Sequence, residues 1–162
     1  MSQKPIKRSQ NLVPLSKDHH EGLLVVWKIR QGVRNAVAGK RIADFVLHAF
    51  TTHLAPHFRE EEELLFSKVD SADELCVKAL EQHAAIKQMV SELPVESEGL
   101  INKLEAFANL LEEHIRFEER TLFFHLENQL PSKTMDAIGD ALVLIHSNKQ
   151  PLFWYDQFWV KN

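Results

Sequence analysis

The chain has 162 residues, 44% of them hydrophobic and 26% charged, which suits one domain with its own core and excludes low-complexity, collagen-like and disordered classes. Lys and Arg total 19 against 23 Asp and Glu, a formal charge of -4 with no basic block, so nucleic acid is a poor electrostatic partner. One cysteine (Cys76) forms no intrachain disulfide, MSQKPIKRSQ lacks the apolar run of a secretory signal, and no stretch of about 18 apolar residues is present to cross a membrane, so the expectation is a cytoplasmic protein without a membrane partner.

Glycine (5) and proline (6) are scarce, which favours long helices over a turn-rich β fold. The first helix is read from an N-cap near Ser16 to about Ala38, with Gly39 as its stop. The second covers roughly Arg41 to Val69, and Pro56 inside it should kink or break it. The third opens at a capping box, Ser71-Ala72-Asp73-Glu74, and ends at Leu93 before Pro94. The fourth starts near Ser97 or Gly99 and ends at Leu130 before Pro131; a short fifth runs from an N-cap at Ser132 to about His146, followed by an aromatic tail. Apolar spacing is helical throughout, and the short connections predict an all-α, up-down-up-down four-helix bundle. The whole chain, 1–162, reads as one domain, with the bundle at about 12–130 and the fifth helix and tail at 131–162.

Each long helix carries titratable residues inside its apolar stripe. Leu54, His57, Phe58, Glu61 and Leu65 share one face of the second helix, and Phe107, Leu111, His114, Glu118 and Leu122 share one face of the fourth. The third helix has the stripe Cys76, Ala79, Leu80, His83, Ile86, Val90. On the first, His20 aligns with Leu23, Leu24 and Trp27, whereas His19 aligns with Leu23 and Val26, and the stripe does not decide between them. In an antiparallel bundle these positions fall at one level. His48 and His53 would sit deeper in the bundle, and His125 near the helix mouth.

A lone histidine on an apolar face is usually a satisfied core residue. Four of them beside two buried carboxylates are another matter, because buried charge is costly unless something compensates it. A cation does so, and nitrogen and oxygen donors of this kind suit iron, manganese or zinc. The run Glu60-Glu61-Glu62-Glu63 covers most of a helix circumference, so one member must point inward; the stripe favours Glu61 and leaves Glu60 and Glu62 open as further ligands. His53 and His57 do not form a His-Glu-x-x-His protease motif, and Cys76 reads as a small core residue. The tail Phe153-Trp154-Tyr155-Asp156-Gln157-Phe158-Trp159 should cap the bundle, with a homodimer contact as the alternative.

The segments LSKDHHEGL, HFREEEELLF, LEQHAAIKQM and HIRFEERTLF, in that order over about residues 12 to 130, resemble the hemerythrin-like (HHE cation-binding) family. The resemblance implies a four-helix bundle holding two non-haem iron ions bridged by carboxylates, with His20, His57, Glu61, His83, His114 and Glu118 as ligands. It favours His20 over His19 because the family's first histidine is typically followed by an apolar residue three positions on, here Leu23. Oxygen-carrying members have two histidines four apart on the third helix; here Ala79 and Lys87 flank His83 at that spacing. The closer likeness is therefore to the iron-sensing and nitrosative-stress branches.

The function expected is a di-iron protein that binds or senses O2, NO, peroxide or iron itself. Alternatives are a di-iron oxidase, against which the lack of any Glu-x-x-His counts, an iron-centre repair factor, against which the lack of a repair-type N-terminal cysteine motif counts, and a helical interaction module with a structural metal.

Overall fold

In the computed structural model, residues 7–93 and 98–161 are described, so the readings at the first six residues, Pro94 and Ser97 lie outside the described residues. Four long helices and a shorter fifth follow one another, and the described residues contain no strand. Helix α1 is Val13–Arg34, α2 spans 39–65, α3 is Glu74–Glu92, α4 spans 100–129 and α5 is Ser132–His146. Together α1 to α4 form a helical bundle, with α1 packed along α4.

Several helix ends differ from the sequence reading. Pro14 sits in the first turn of α1, where its fixed φ fits and no N–H is needed, so the helix begins ahead of Ser16. Ser16 instead donates to Glu119 at 2.7 Å. Ala36 takes a left-handed φ of 56° after α1 ends, and Gly39 opens α2 rather than stopping α1. Asp73, not Ser71, caps α3, accepting from the Leu75 and Cys76 amides. Ser132 is the first residue of α5, with Pro131 at its N-cap.

Pro56 does not break α2. A π-helical turn over Phe50–Leu54 comes directly before it, and the Ala55 N–H bonds to the Phe50 carbonyl, five residues back. That widened turn absorbs the residue that cannot donate. Two further π turns begin at Glu61 and at Glu118, the two carboxylates picked out from the stripes. Each ends on an apolar residue facing inward, Leu65 with Phe66 just beyond α2 and Leu122 followed by Phe123 on α4.

The buried apolar residues fall into two groups. One holds Val26, Ile29, Phe45, Phe58, Ile86, Phe107 and Leu111; the other holds Leu12, Leu15, Leu65, Ala79, Leu122, Phe123 and Leu142. Between Leu15 and Val25 lies His19, between Leu54 and Leu65 lie His57 and Glu61, between Ala79 and Ile86 lies His83, and between Leu111 and Leu122 lie His114 and Glu118. The bundle is thus an apolar core interrupted by one polar layer. Gly22 lets α1 approach α4 there, since a Cβ at that position would lie 2.7 Å from Ile115 Cδ1.

The tail packs beside α1 and α2 at the far end from this layer. Phe158 is buried, and the Phe45 ring lies 5.5 Å from it and 5.7 Å from Trp159. Lys28 sits 4.3 Å above Trp159, and Arg41 pairs with Asp156. His48 does not sit deep in the bundle; it lies against Trp154, ring centroids 4.9 Å apart.

Candidate metal centre

The polar layer brings together His57, Glu61, His83, His114 and Glu118, as the stripes imply, and His19 in place of His20. His20 is exposed. The buried face of α1 is Leu15, Asp18, His19, Gly22, Val25, Val26 and Ile29, whereas Leu24 and Trp27, the apolar residues aligned with His20, are 37% and 49% exposed. The correction has a physical origin. Gly22 lies on the His19 face and allows Ile115 of α4 to close over it, so that face is the one packed into the bundle, while Leu24 and Trp27 stay partly in solvent.

Two overlapping groups form, each with all donor atoms within 4.8 Å of one another: His19, His57, Glu61 and Glu118, and then Glu61, His83, His114 and Glu118. Both carboxylates belong to both groups. His57 Nε2 is 3.0 Å from Glu61 Oε1 and His83 Nε2 is 3.3 Å from the same oxygen. His114 Nε2 is 2.9 Å from Glu118 Oε1, and His19 Nε2 is 3.0 Å from Glu118 Oε2. None of these pairs is aligned as a hydrogen bond: the four Nε2 atoms and both oxygens of Glu61 and Glu118 are buried without a hydrogen-bond partner. Buried polar atoms are rarely left so. Donor separations of about 3 Å are those of ligands sharing an ion at roughly 2.0–2.2 Å. Each group could hold a metal cation, with two imidazoles of its own and both carboxylates in common with the other.

The opposite nitrogen of every imidazole is held. His19 Nδ1 donates to Glu119 at 2.6 Å, His57 Nδ1 to Asp18 at 2.9 Å, His83 Nδ1 to Glu62 at 3.2 Å and His114 Nδ1 to the Gln82 amide oxygen at 2.7 Å. Such bonds fix ring orientation and raise ligand basicity. Of these supports Glu62 was left open in the sequence as a ligand, whereas Asp18 and Gln82 were not singled out, although all four are next in sequence to a cluster residue. They also make a ring: α1 supports α2, α2 supports α3, α3 supports α4, and α4 supports α1. Phe58 stacks on His83 with centroids 3.9 Å apart, and Phe123 on His19 at 5.2 Å, which keeps the cluster in apolar surroundings.

The electrostatics agree. Burial opposes charge on His57, but Glu61 and Asp18 outweigh it and raise its pKa to about 9. His83 is likewise raised to about 11, by Glu118, Glu61 and Glu62 against burial. Burial would protonate Glu118, yet His114 and its other neighbours hold it well below the usual carboxylate range. Protons thus stand where a cation would.

The other candidates fall elsewhere. Glu60 accepts from His146 and Glu62 supports His83, so neither shares the central cluster. Ala79 is buried in the apolar core and Lys87 is exposed. His125 pairs with Asp73 at 2.7 Å, tying α4 to the cap of α3. Cys76 is buried, and burial with Asp73 nearby pushes its thiol up to about 12, which fits a core residue rather than a nucleophile.

The choice between adjacent histidines is open to a direct comparison. His19→Ala should lower metal content and thermal stability together, whereas His20→Ala should leave both unchanged; elemental analysis and a melting curve on the two variants decide it.

Comparison with known proteins agrees with this geometry. The family described as Hemerythrin HHE cation binding domain matches over residues 11–126. No curated protein and no solved structure matches the chain. No helix among the described residues is long and apolar enough to cross a membrane. With well over half of its length matched and two histidine–carboxylate clusters at the level the match covers, the chain belongs to the hemerythrin HHE cation-binding family.

Proposed function

We propose that the protein holds two iron ions in the polar layer and there binds a small ligand such as O2, NO or peroxide. The observation that carries this reading is the set of buried atoms that lack partners: four imidazole nitrogens and four carboxylate oxygens, all in one layer. Bound iron would supply an open coordination position and electrons. His19 and His57 would hold one ion and His83 and His114 the other, with Glu61 and Glu118, which belong to both donor groups, available to each. Asp18, Glu62, Gln82 and Glu119 fix the rings, so little reorganisation accompanies ligand arrival. Phe58 and Phe123 exclude water and lower the local dielectric, which favours small uncharged ligands. Nitrogen and oxygen ligation also accommodates manganese or zinc.

Elemental analysis of protein from iron-replete cells should give two irons per chain, and NO added to the reduced protein should change its absorption spectrum. One zinc, or no metal, would remove the dinuclear reading.

A further inference from the structure

The two donor groups are not supported alike. Behind His19 and His57 both Nδ1 atoms donate to carboxylates, Glu119 at 2.6 Å and Asp18 at 2.9 Å. Behind His83 and His114 the acceptors are Glu62, at 3.2 Å the longest of the four bonds, and the uncharged amide oxygen of Gln82 at 2.7 Å. A carboxylate acceptor makes an imidazole a stronger metal donor than an amide does, because the charge-assisted bond draws the Nδ1 proton further from the ring.

A second difference lies one bond further out. Glu119 also accepts from Ser16 at 2.7 Å and from the Arg8 guanidinium at 3.3 Å. Both Asp18 oxygens accept from the Lys149 ammonium, at 3.0 and 3.1 Å. Among the described residues, the Glu62 carboxylate has His83 as its one hydrogen-bond partner. Nor do the two cations cancel the charge they hold, since each also faces another carboxylate: Glu127 is 2.9 Å from Arg8, and Glu60 is 3.9 Å from Lys149. Arg8 and Lys149 lie on either side of the residues matched by the family, 11–126. One segment ahead of α1 and one after α5 thus close on the supports of the same donor group.

Given the two ions of the dinuclear reading, on which this rests, we propose that the metal positions are unequal: the ion on His19 and His57, whose supports are carboxylates braced by Arg8 and Lys149, is held about tenfold or more tightly than the ion on His83 and His114. Changes to such supports typically move metal affinity 10–100-fold, which sets that scale. Arg8, Glu119, Asp18, Lys149 and Gln82 are positioning residues here, and the His83 position is the one that empties first as iron falls.

Protein loaded anaerobically with Fe2+ and dialysed against falling free Fe2+, with iron counted per chain, tests the proposal. Loss is expected in two steps about tenfold or more apart. His114→Ala should retain the tighter step and His19→Ala the weaker one. Gln82→Glu places a carboxylate behind His114 and should tighten the weaker step about tenfold with the other in place, a gain that damage to packing does not produce. Glu119→Gln and Arg8→Met should each loosen the tighter step and leave the weaker one. Two irons lost in a single step, no gain in Gln82→Glu, or a tighter step unmoved in both Glu119→Gln and Arg8→Met overturns the inequality and leaves the dinuclear reading standing. A loaded count other than two irons overturns the dinuclear reading itself.

Discussion

Glu118→Ala should cost the protein both tightly held metals at once. Glu118 and Glu61 are the only residues common to the two donor groups, so removing either carboxylate strips each ion of a ligand and of its compensating charge. His57→Ala or His114→Ala, by contrast, touches one group, and its first effect should be on one ion. Because binding stabilises only the folded state, metal at about a thousandfold above its dissociation constant contributes about 4 kcal/mol. At this chain length that corresponds to roughly 8–16 °C in Tm. The measurement is metal per chain and Tm for wild type, Glu118→Ala and His57→Ala, with His48→Ala as the control that changes neither. One stoichiometric metal surviving in Glu118→Ala would show that the carboxylate does not bridge.

The second large effect is on pH. In metal-free protein the imidazoles of His57 and His83 hold protons up to about 9 and about 11, against 6.5 for an unperturbed ring. Their folded pKa values are raised, so the stability they contribute is fully present below 6.5 and lost as pH rises through 9 towards 11. Metal-free protein should therefore melt at a lower temperature at pH 10 than at pH 6.5, and metal-loaded protein should not lose this contribution, because the ion replaces the Nε2 protons. Asp18 acts at the other end: burial opposes its charge, but His57 and Lys149 lower its pKa from 3.8 to about 2, and its contribution disappears only as pH falls through that range. The same protons must leave when metal binds, so binding should release acid and weaken as pH falls. Melting curves with and without chelator, together with proton release during titration in weak buffer, check both signs. A flat metal-free Tm between pH 6.5 and pH 10 would contradict the assignment of these rings as proton holders.

Much of this was legible in the sequence. Helical spacing placed His57, Glu61, His83, His114 and Glu118 on apolar stripes, because ligand and core positions on a bundle helix obey the same 3.6-residue period. The stripe left His19 and His20 undecided, and the family resemblance turned the choice to His20 through Leu23, three positions on; the face buried against α4 carries His19 and Gly22, whose value lies in having no side chain. The π turns at Phe50, Glu61 and Glu118 leave no local composition signal, and the proline that hides one of them suggests a break instead. Asp18, Glu62, Gln82 and Glu119 were illegible singly, since a polar residue one step from a stripe usually faces water.

Taken in pairs, those residues can be read. Each helix carries a two-residue word, one letter facing the centre and its neighbour, about 100° round the helix, facing the adjoining helix. On α1 and α3 the outward letter comes first, Asp18-His19 and Gln82-His83; on α2 and α4 it comes second, Glu61-Glu62 and Glu118-Glu119. That alternation is what one sense of circulation demands when successive helices run in opposite directions, so the order of adjacent residues fits the antiparallel bundle expected from the sequence. It also makes the centre a phase lock. Turning any one helix by a single residue misplaces its own ligand and unmoors that of the next; each donor group spans three helices, so cations in both groups would together fix the rotation of all four about their axes.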